Sequence, residues 1–426
     1  MSETVRPHGE ARKGSLFGWY GDLDKPARRT LWAAIGGWGL DAMDVQIYSF
    51  VIPALIAVWG ITTEQAGAVA TAALLTSAVG GWIAGWLADR IGRVRTLQLA
   101  IAWFAFFTFL CGLAQTYEQL FAARALMGLG FGGEWAAGAV LLAETVPARH
   151  RGKALGSMQS AWAVGWAVAM VASTIVFSVL PQAQAWRVLF FIGVTPAIMI
   201  FFVRRLVGES EIYTASKKAL AASGEKVSVL EIFKPPLLKV TVLGGLLGMG
   251  AQGGYSAIIT WLPTYLKNER GLSVIGSSGY LAVLIVGSFL GYMTGAYLGD
   301  SIGRRNTFLV FAIGAIVLVI GYTMAPFGNA AMLVLGGPLG FFGAGVFAVQ
   351  GAFYSEQFPT RVRGVGQGFT YNLGRALGAF IPFVVGAMAT RMGLGQALGV
   401  FAAISYGVMA VAAFMLPETK GKVLEP

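Results

Sequence analysis

Asp89-Arg90-Ile91-Gly92-Arg93 lies in a short polar gap between two long apolar runs, and Asp300-Ser301-Ile302-Gly303-Arg304 answers it 211 positions later. A second pattern, Glu144-x-x-Pro147-x-Arg149-x-Arg151-Gly152, is answered by Glu356-x-x-Pro359-x-Arg361-x-Arg363-Gly364 at an offset of 212. Two unrelated patterns at almost one offset imply a duplicated half-chain. A weaker echo pairs Gly208-Glu209-Ser210 with Pro417-Glu418-Thr419-Lys420. Duplicated membrane halves are a common plan for secondary carriers, with the substrate path at the interface between halves.

Composition agrees with a membrane location. The 426-residue chain is 56% apolar and 12% charged, where a soluble domain carries about 25% charged residues. A spanning helix needs roughly 20 apolar residues. Twelve such runs are legible, near 30–59, 66–88, 96–116, 119–143, 154–180, 186–206, 238–266, 276–299, 306–325, 329–353, 365–389 and 395–416. The expected organisation is a tail (1–28), a six-helix bundle (29–206), a polar linker (207–237), and a second six-helix bundle with a short tail (238–426). The 59 glycines suit close helix approach inside such bundles.

The net charge of +11 is not a nucleic-acid footprint, because its distribution follows the membrane. With both termini placed in the cytoplasm, 25 of the 31 Lys and Arg fall in the tails, the linker and the inner loops. The opposite side receives Arg187, Lys267, Arg270 and Arg391. This positive-inside bias sets the expected orientation. The expected location is the inner membrane of a bacterium. The single Cys111 supports no disulfide framework. His8 and His150 sit in a tail and a loop, so no metal site and no cofactor is expected. The polar first thirty residues do not resemble a cleaved signal or transit peptide. A nucleophile–base–orienter set is also lacking, so an enzyme is not expected.

The loop Gly85-Trp86-Leu87-Ala88-Asp89-Arg90-Ile91-Gly92-Arg93-Val94-Arg95 resembles the loop 2–3 signature of the major facilitator superfamily. The partner at 296–305 lacks the leading Gly. Arg124-x-x-x-Gly128-x-Gly130-x-Gly132 resembles that family's fourth-helix motif, and the resemblance runs from about residue 28 to 420. The fifth span lacks the Gly-Pro signature of drug antiporters. Asp41-Ala42-Met43-Asp44 resembles the Asp-x-x-Asp of proton-coupled aromatic-acid carriers, whereas Gly132-Gly133-Glu134-Trp135 resembles lactate and sialate symporters. The resemblance implies an all-α membrane fold of twelve helices in two six-helix bundles. It also implies a gating role for the rim residues Asp89, Arg93, Glu144, Arg149, Asp300, Arg304, Glu356 and Arg361, through salt bridges that form when that side closes.

Ionisable side chains inside spans cost about 2.5–3.5 kcal/mol each on insertion scales and usually mark a pathway. Five stand out: Asp41, Asp44, Arg124, Glu134 and Arg375. Asp41 and Asp44 are three apart and share one helix face with Tyr48. Asp41 lies roughly 18 Å into the first span, near the midplane. Two carboxyls this close in a poorly hydrated site do not both ionise readily, so one is expected to bind a proton reversibly, with Asp44 the first choice. Pairing of either aspartate with Arg124 would switch with that proton, or would be a fixed strut. Glu134 is a second proton site, a substrate partner or a packing residue.

Arg375 lies roughly 16 Å into the eleventh span and shares a face with Gly368, Tyr371 and Asn372. Spans 7–12 contain no carboxylate to balance it, so an incoming carboxylate held by two parallel hydrogen bonds is the natural partner. Pairing with Asp41, Asp44 or Glu134 across the cavity is the alternative. Gln159 and Trp162, Gln252 and Tyr255, and Gln350 are further cavity candidates, though helix–helix hydrogen bonds would explain such residues equally well. The expected function is proton-coupled import of a small organic anion by alternating access. The expected partners are that anion, protons and the lipid bilayer, and a monomer is expected. A carrier of neutral sugars or polyols is the alternative, since Pro417-Glu418-Thr419-Lys420 also resembles sugar porters. A nutrient sensor that binds without transporting is another.

Overall fold

The computed structural model describes residues 18–147, 150–195, 208, 229–272, 274–359 and 362–420. Arg149 and Arg361 lie outside the described residues, as do the side chains of Asp89, Glu144 and Asp300. The first half comprises α1 (Lys25–Trp59), α2 (Thr63–Ile91), α3 (Arg93–Leu113), α4 (Tyr117–Thr145), α5 (Arg151–Val179) and α6 (Gln182–Ile192). The second comprises α7 (Leu237–Asn268), α8 (Val274–Ser301), α9 (Arg304–Met324), α10 (Asn329–Gly345 and Phe347–Gln357), α11 (Arg363–Gly378 and Phe380–Met392) and α12 (Leu394–Met415). Among the described residues, ten stretches are long and apolar enough to cross a membrane. The fourth place is filled by α4, 29 residues long. The described part of α6 fills the sixth; the rest of that expected span and most of the linker lie outside the described residues.

Local chemistry sets the helix ends. Asp24 accepts from the Ala27 amide at 2.8 Å and opens α1. Thr62 and Gln65 form a reciprocal capping box at α2. The break in α11 precedes Pro382, which has no N–H and crowds the carbonyl four residues back.

The duplication read from sequence extends to single hydrogen bonds. Gly92 and Gly303 both adopt positive φ, +103° and +98°, a conformation that favours glycine. In both copies the next turn is tied back the same way. Thr96 Oγ1 donates to Gly92 O at 2.8 Å, and Thr307 Oγ1 donates to Gly303 O at 2.8 Å. Packing repeats as well: α1 on α5 and α2 on α4 in the first half match α7 on α11 and α8 on α10 in the second. Between halves, α2 lies on α11, α8 on α5, and α1 on α7.

Contacts join the two halves at both ends of the interface, by different means. Near Gly60, hydrogen bonds cross it: Thr63 Oγ1 donates to Gly386 O at 2.9 Å, and the Phe383 amide donates to Thr71 Oγ1 at 3.2 Å. Thr174 and Ser278 share a bond of 2.6 Å there. Toward loop 2–3 the contacts are aromatic. Trp82 of α2 stacks on Phe369 of α11 at 5.8 Å, and Phe233 from the short linker helix Val229–Phe233 meets Phe369 edge-on at 5.0 Å.

Helix approach is closest where α4 crosses α2. A Cβ on Gly132 would meet the Ser77 carbonyl carbon at 2.6 Å and the Gly81 amide nitrogen at 2.8 Å, both backbone atoms that cannot swing aside. A Cβ on Gly138 would meet only side-chain ends, at 3.9 and 4.0 Å. Gly132→Ala should therefore destabilise the protein by about 1–3 kcal/mol through overpacking, while Gly138→Ala should be near neutral. Thermal unfolding of the detergent-purified variants checks this, and equal midpoints would refute the tight α2–α4 contact.

Candidate substrate and proton site

All five ionisable residues singled out inside the spans are buried between or against the two bundles. Their exposures are 0% for Asp41 and Asp44, 2% for Arg124, and 4% for Glu134 and Arg375. The structure sorts them into three units.

The first unit is an ion pair within the first bundle. Arg124 Nη1 donates to Asp44 Oδ2 at 3.1 Å. The same nitrogen approaches Met127 Sδ at 3.2 Å, and the guanidinium lies 4.8 Å over the Tyr48 ring. Thr108 stands beside Asp44, though its hydroxyl makes no hydrogen bond among the described residues. Tyr48 is itself anchored, donating to Ala66 O at 2.8 Å. Of the two aspartates, Asp44 is thus the one that neutralises Arg124.

The second unit is a pair of carboxyls. Asp41 and Glu134 lie within hydrogen-bonding reach of each other. Apart from the Glu134 carboxyl, no donor among the described residues reaches either Asp41 oxygen. Glu134 Oε1 also lies against α1 at Gly37, one turn before Asp41, where a Cβ could not be accommodated without moving it. Two adjoining buried carboxyls are stable together when they hold one proton between them.

The third unit is Arg375. Its guanidinium lies 5.1 Å from the Phe131 ring of α4 and 5.2 Å from the Tyr371 ring of its own helix. Arg375 Nη2 donates to the Tyr371 hydroxyl at 3.4 Å, which also accepts from Gln252 Nε2 at 3.2 Å. Asp41 is within electrostatic reach across the interface. Phe131 in turn stacks on Trp38 at 6.0 Å and approaches Trp162 at 6.1 Å. Tyr255 of the second bundle lies near the Trp162 indole of the first without a hydrogen bond between them, so this aromatic wall spans both bundles.

Other expected residues fall away from this cluster or serve packing. Gln350 Nε2 donates to the Tyr354 hydroxyl at 2.9 Å, and Tyr354 donates to Gly244 O at 2.8 Å, a tie between α10 and α7. Asn372 Nδ2 donates to Gly368 O of its own helix at 3.0 Å, and its amide packs on Gly81 of α2. Gln159 is half-buried on α5. Arg93 is half-buried at the start of α3.

At the rim, Arg304 Nη2 donates to Glu356 Oε1 at 3.2 Å. This bridge joins α9 to α10 within the second bundle. Glu418 accepts from the backbone amides of Arg304 and Arg305 at 2.9 and 3.1 Å, so the Pro-Glu-Thr-Lys stretch caps α9. Phe131, Trp38 and Thr108 were missed in the sequence. Phe131 was within reach: it lies seven residues after Arg124 and three before Glu134, on one helix face.

Residues 35–382 match the Major Facilitator Superfamily. The chain is 41% identical over 410 residues to a probable 4-methylmuconolactone transporter of Cupriavidus pinatubonensis, covering 96% of this chain and 95% of that protein. It is 30% identical over 426 residues to a niacin transporter of Acinetobacter baylyi, covering 93% and 95%. A crystal structure of a D-xylose-proton symporter superposes with a TM-score of 0.73 at 20% identity over 94% of this chain and 100% of that one, a likeness of fold. The twelve-helix, two-bundle architecture, the twice-repeated loop signature and these matches agree: this chain is a transporter of the Major Facilitator Superfamily and not an enzyme.

Proposed function

We propose that the protein is a proton-coupled importer of a small organic acid, with Arg375 as the carboxylate anchor and the Asp41–Glu134 pair as the proton site. The observation that carries this reading is the placement of Arg375. It is a buried guanidinium of the second bundle, clamped between the rings of Phe131 and Tyr371, facing an acid pair of the first bundle. The relatives' names support it, since niacin and 4-methylmuconolactone are small carboxylic acids.

The cycle follows from charge. The buried cluster holds three carboxyls and two guanidiniums. It is neutral when one proton resides on the carboxyls. A deprotonated Asp41 competes with substrate for Arg375. Protonation of Asp41 releases that competition, and a carboxylate then docks on Arg375, by two parallel hydrogen bonds. One extra proton balances one monoanion. The loaded site carries no net charge, which lowers the cost of moving it through the low-dielectric interface as the bundles rock. The proton leaves on the far side, and the pair recloses on Arg375. The moving bodies are 29–206 and 238–426. Both termini lie in the cytoplasm of a bacterial cell, where the basic loops concentrate. The rim residues Asp89, Arg93, Glu144, Arg149, Asp300, Arg304, Glu356 and Arg361 bias which side is open.

Three experiments test this reading. Calorimetry should show that the wild type binds an acid and ignores its methyl ester. Arg375→Lys should bind clearly more weakly, because a point charge replaces a fork. Arg375→Ala should lose about 2–5 kcal/mol, roughly 30- to several-thousand-fold. Equal affinity for acid and ester would favour a neutral substrate.

The two aspartates should separate by their failure modes. Asp44→Asn leaves Arg124 buried without its counter-charge and should lower stability by about 3–5 kcal/mol in thermal unfolding. Asp41→Asn keeps a donor toward Glu134, so it should fold normally. It should exchange substrate between loaded compartments yet fail to concentrate it under a pH gradient. Accumulation by Asp41→Asn would move the coupling role to Glu134 or Asp44.

Charge balance also predicts an electroneutral cycle for a monoanion. Uptake into proteoliposomes should follow an imposed pH gradient and ignore a potassium-diffusion potential. Acceleration by an inside-negative potential at constant pH would show that more than one proton accompanies each monoanion.

A further inference from the structure

A cavity of about 30 Å³ lies between the bundles beside Arg124. A space for one water needs about 10–15 Å³, so this one accepts a pair of waters or the head of one carboxylate. Its first-bundle wall includes Ser49, Ala73, Arg124 and Phe131, and its second-bundle wall includes Ser256 and Thr260. Arg124 begins two turns inside the Gly60 end of α4, and Phe131 lies about 10 Å further along the axis. Phe131 therefore borders this cavity and also covers the Arg375 guanidinium.

Asp44 does not use up the Arg124 fork. It engages Nη1 alone, and Nε meets no acceptor among the described residues although the side chain is 2% exposed. A buried donor without a partner costs about 1–3 kcal/mol, so a visiting acceptor is favoured there.

We propose that Arg124 is a second carboxylate station on the substrate path, divided from Arg375 by the Phe131 ring. An acid entering from the Gly60 end rests its carboxylate on Arg124, among the Ser49 and Thr260 side chains. It then passes Phe131 to Arg375. Asp44 already offsets most of the Arg124 charge, so this station holds an anion weakly, as a transit site must if the acid is to move on. The inference rests on the reading of Arg375 as the main anchor.

The test uses formate, small enough for the cavity, and proton saturation transfer from the detergent-purified protein. Formate contact should persist in Arg375→Ala, or in Arg375→Gln if the former unfolds. Adding Ala73→Leu, which fills the cavity from α2, should reduce the transfer roughly tenfold. Thr260→Val, which keeps the shape and removes a hydroxyl, should reduce it in the same direction by less. Each variant is compared at an unchanged unfolding midpoint. Loss of all formate contact in the folded Arg375 variant would overturn the second station and leave the Arg375 anchor standing. Contact that survives both cavity substitutions would place the anion elsewhere and overturn it too. Failure of the acid-versus-ester test, by contrast, strikes the anchor and not this cavity.

Discussion

Three carboxyls and two guanidiniums, none more than 4% exposed, must coexist in a medium that punishes net charge. Moving one ion from water to the protein interior carries a penalty of several kcal/mol even after relaxation. The rest of the site is arranged to meet that constraint. Asp44 and Arg124 cancel within one bundle. Asp41 and Glu134 share one face of the interface, and Arg375 faces them from the other bundle. The sum is zero with one proton aboard, and adding a monoanion restores zero with one more. In the proposed cycle, proton binding and anion binding are linked by neutrality, and linkage of this kind acts equally on both ligands.

The scaffold is symmetric but its chemistry is not. The duplicated halves share loop signatures, the Gly92 and Gly303 turns, and the order of helix contacts. Yet all three buried acids belong to α1 and α4, while Arg375 belongs to α11. Arg124 and Asp44 stay together in the first bundle as it moves. Arg375 meets its acidic counterparts only across the interface, so its pairing changes when the bundles move relative to one another. A charge shared between two bodies reports their relative position, whereas a charge paired within one body cannot. This is the physical reason that the proposed substrate anchor is Arg375, with the Arg124–Asp44 pair left as a stabilising tie.

Much of this was legible in the sequence. Repeats and apolar runs gave the two-bundle plan, because a lipid environment forces helix length and hydrophobicity into the chain itself. Ionisable residues inside spans stood out for the same reason. Their pairing was legible only in part: a bond between one aspartate and Arg124 was expected, but not which aspartate makes it. Asp41 and Asp44 share a face by spacing, yet Asp44 meets Arg124 and Asp41 meets Glu134. That choice depends on helix rotation and on Gly37, which leaves room for Glu134 against α1. The partners of the rim residues were not legible, because motif position along the chain does not reveal which helix supplies them. The Arg304–Glu356 contact proved to be internal to one half. Phe131 was hidden among 28 phenylalanines, where only its register with Arg124 and Glu134 distinguished it.

That register gives Phe131 its place in the argument. One ring stacks on Trp38, covers Arg375 and borders the Arg124 cavity. A guanidinium over an aromatic face gains about 0.5–2 kcal/mol, more as water is excluded, and loses none of its hydrogen-bonding edge in doing so. The ring therefore stabilises the charge without competing for its donors. A carboxylate in that position would stabilise Arg375 more strongly but would engage the guanidinium edge, where the proposed substrate docks. An aromatic wall beside a buried cation stabilises its charge through the ring face and leaves hydrogen bonding to the guanidinium edge.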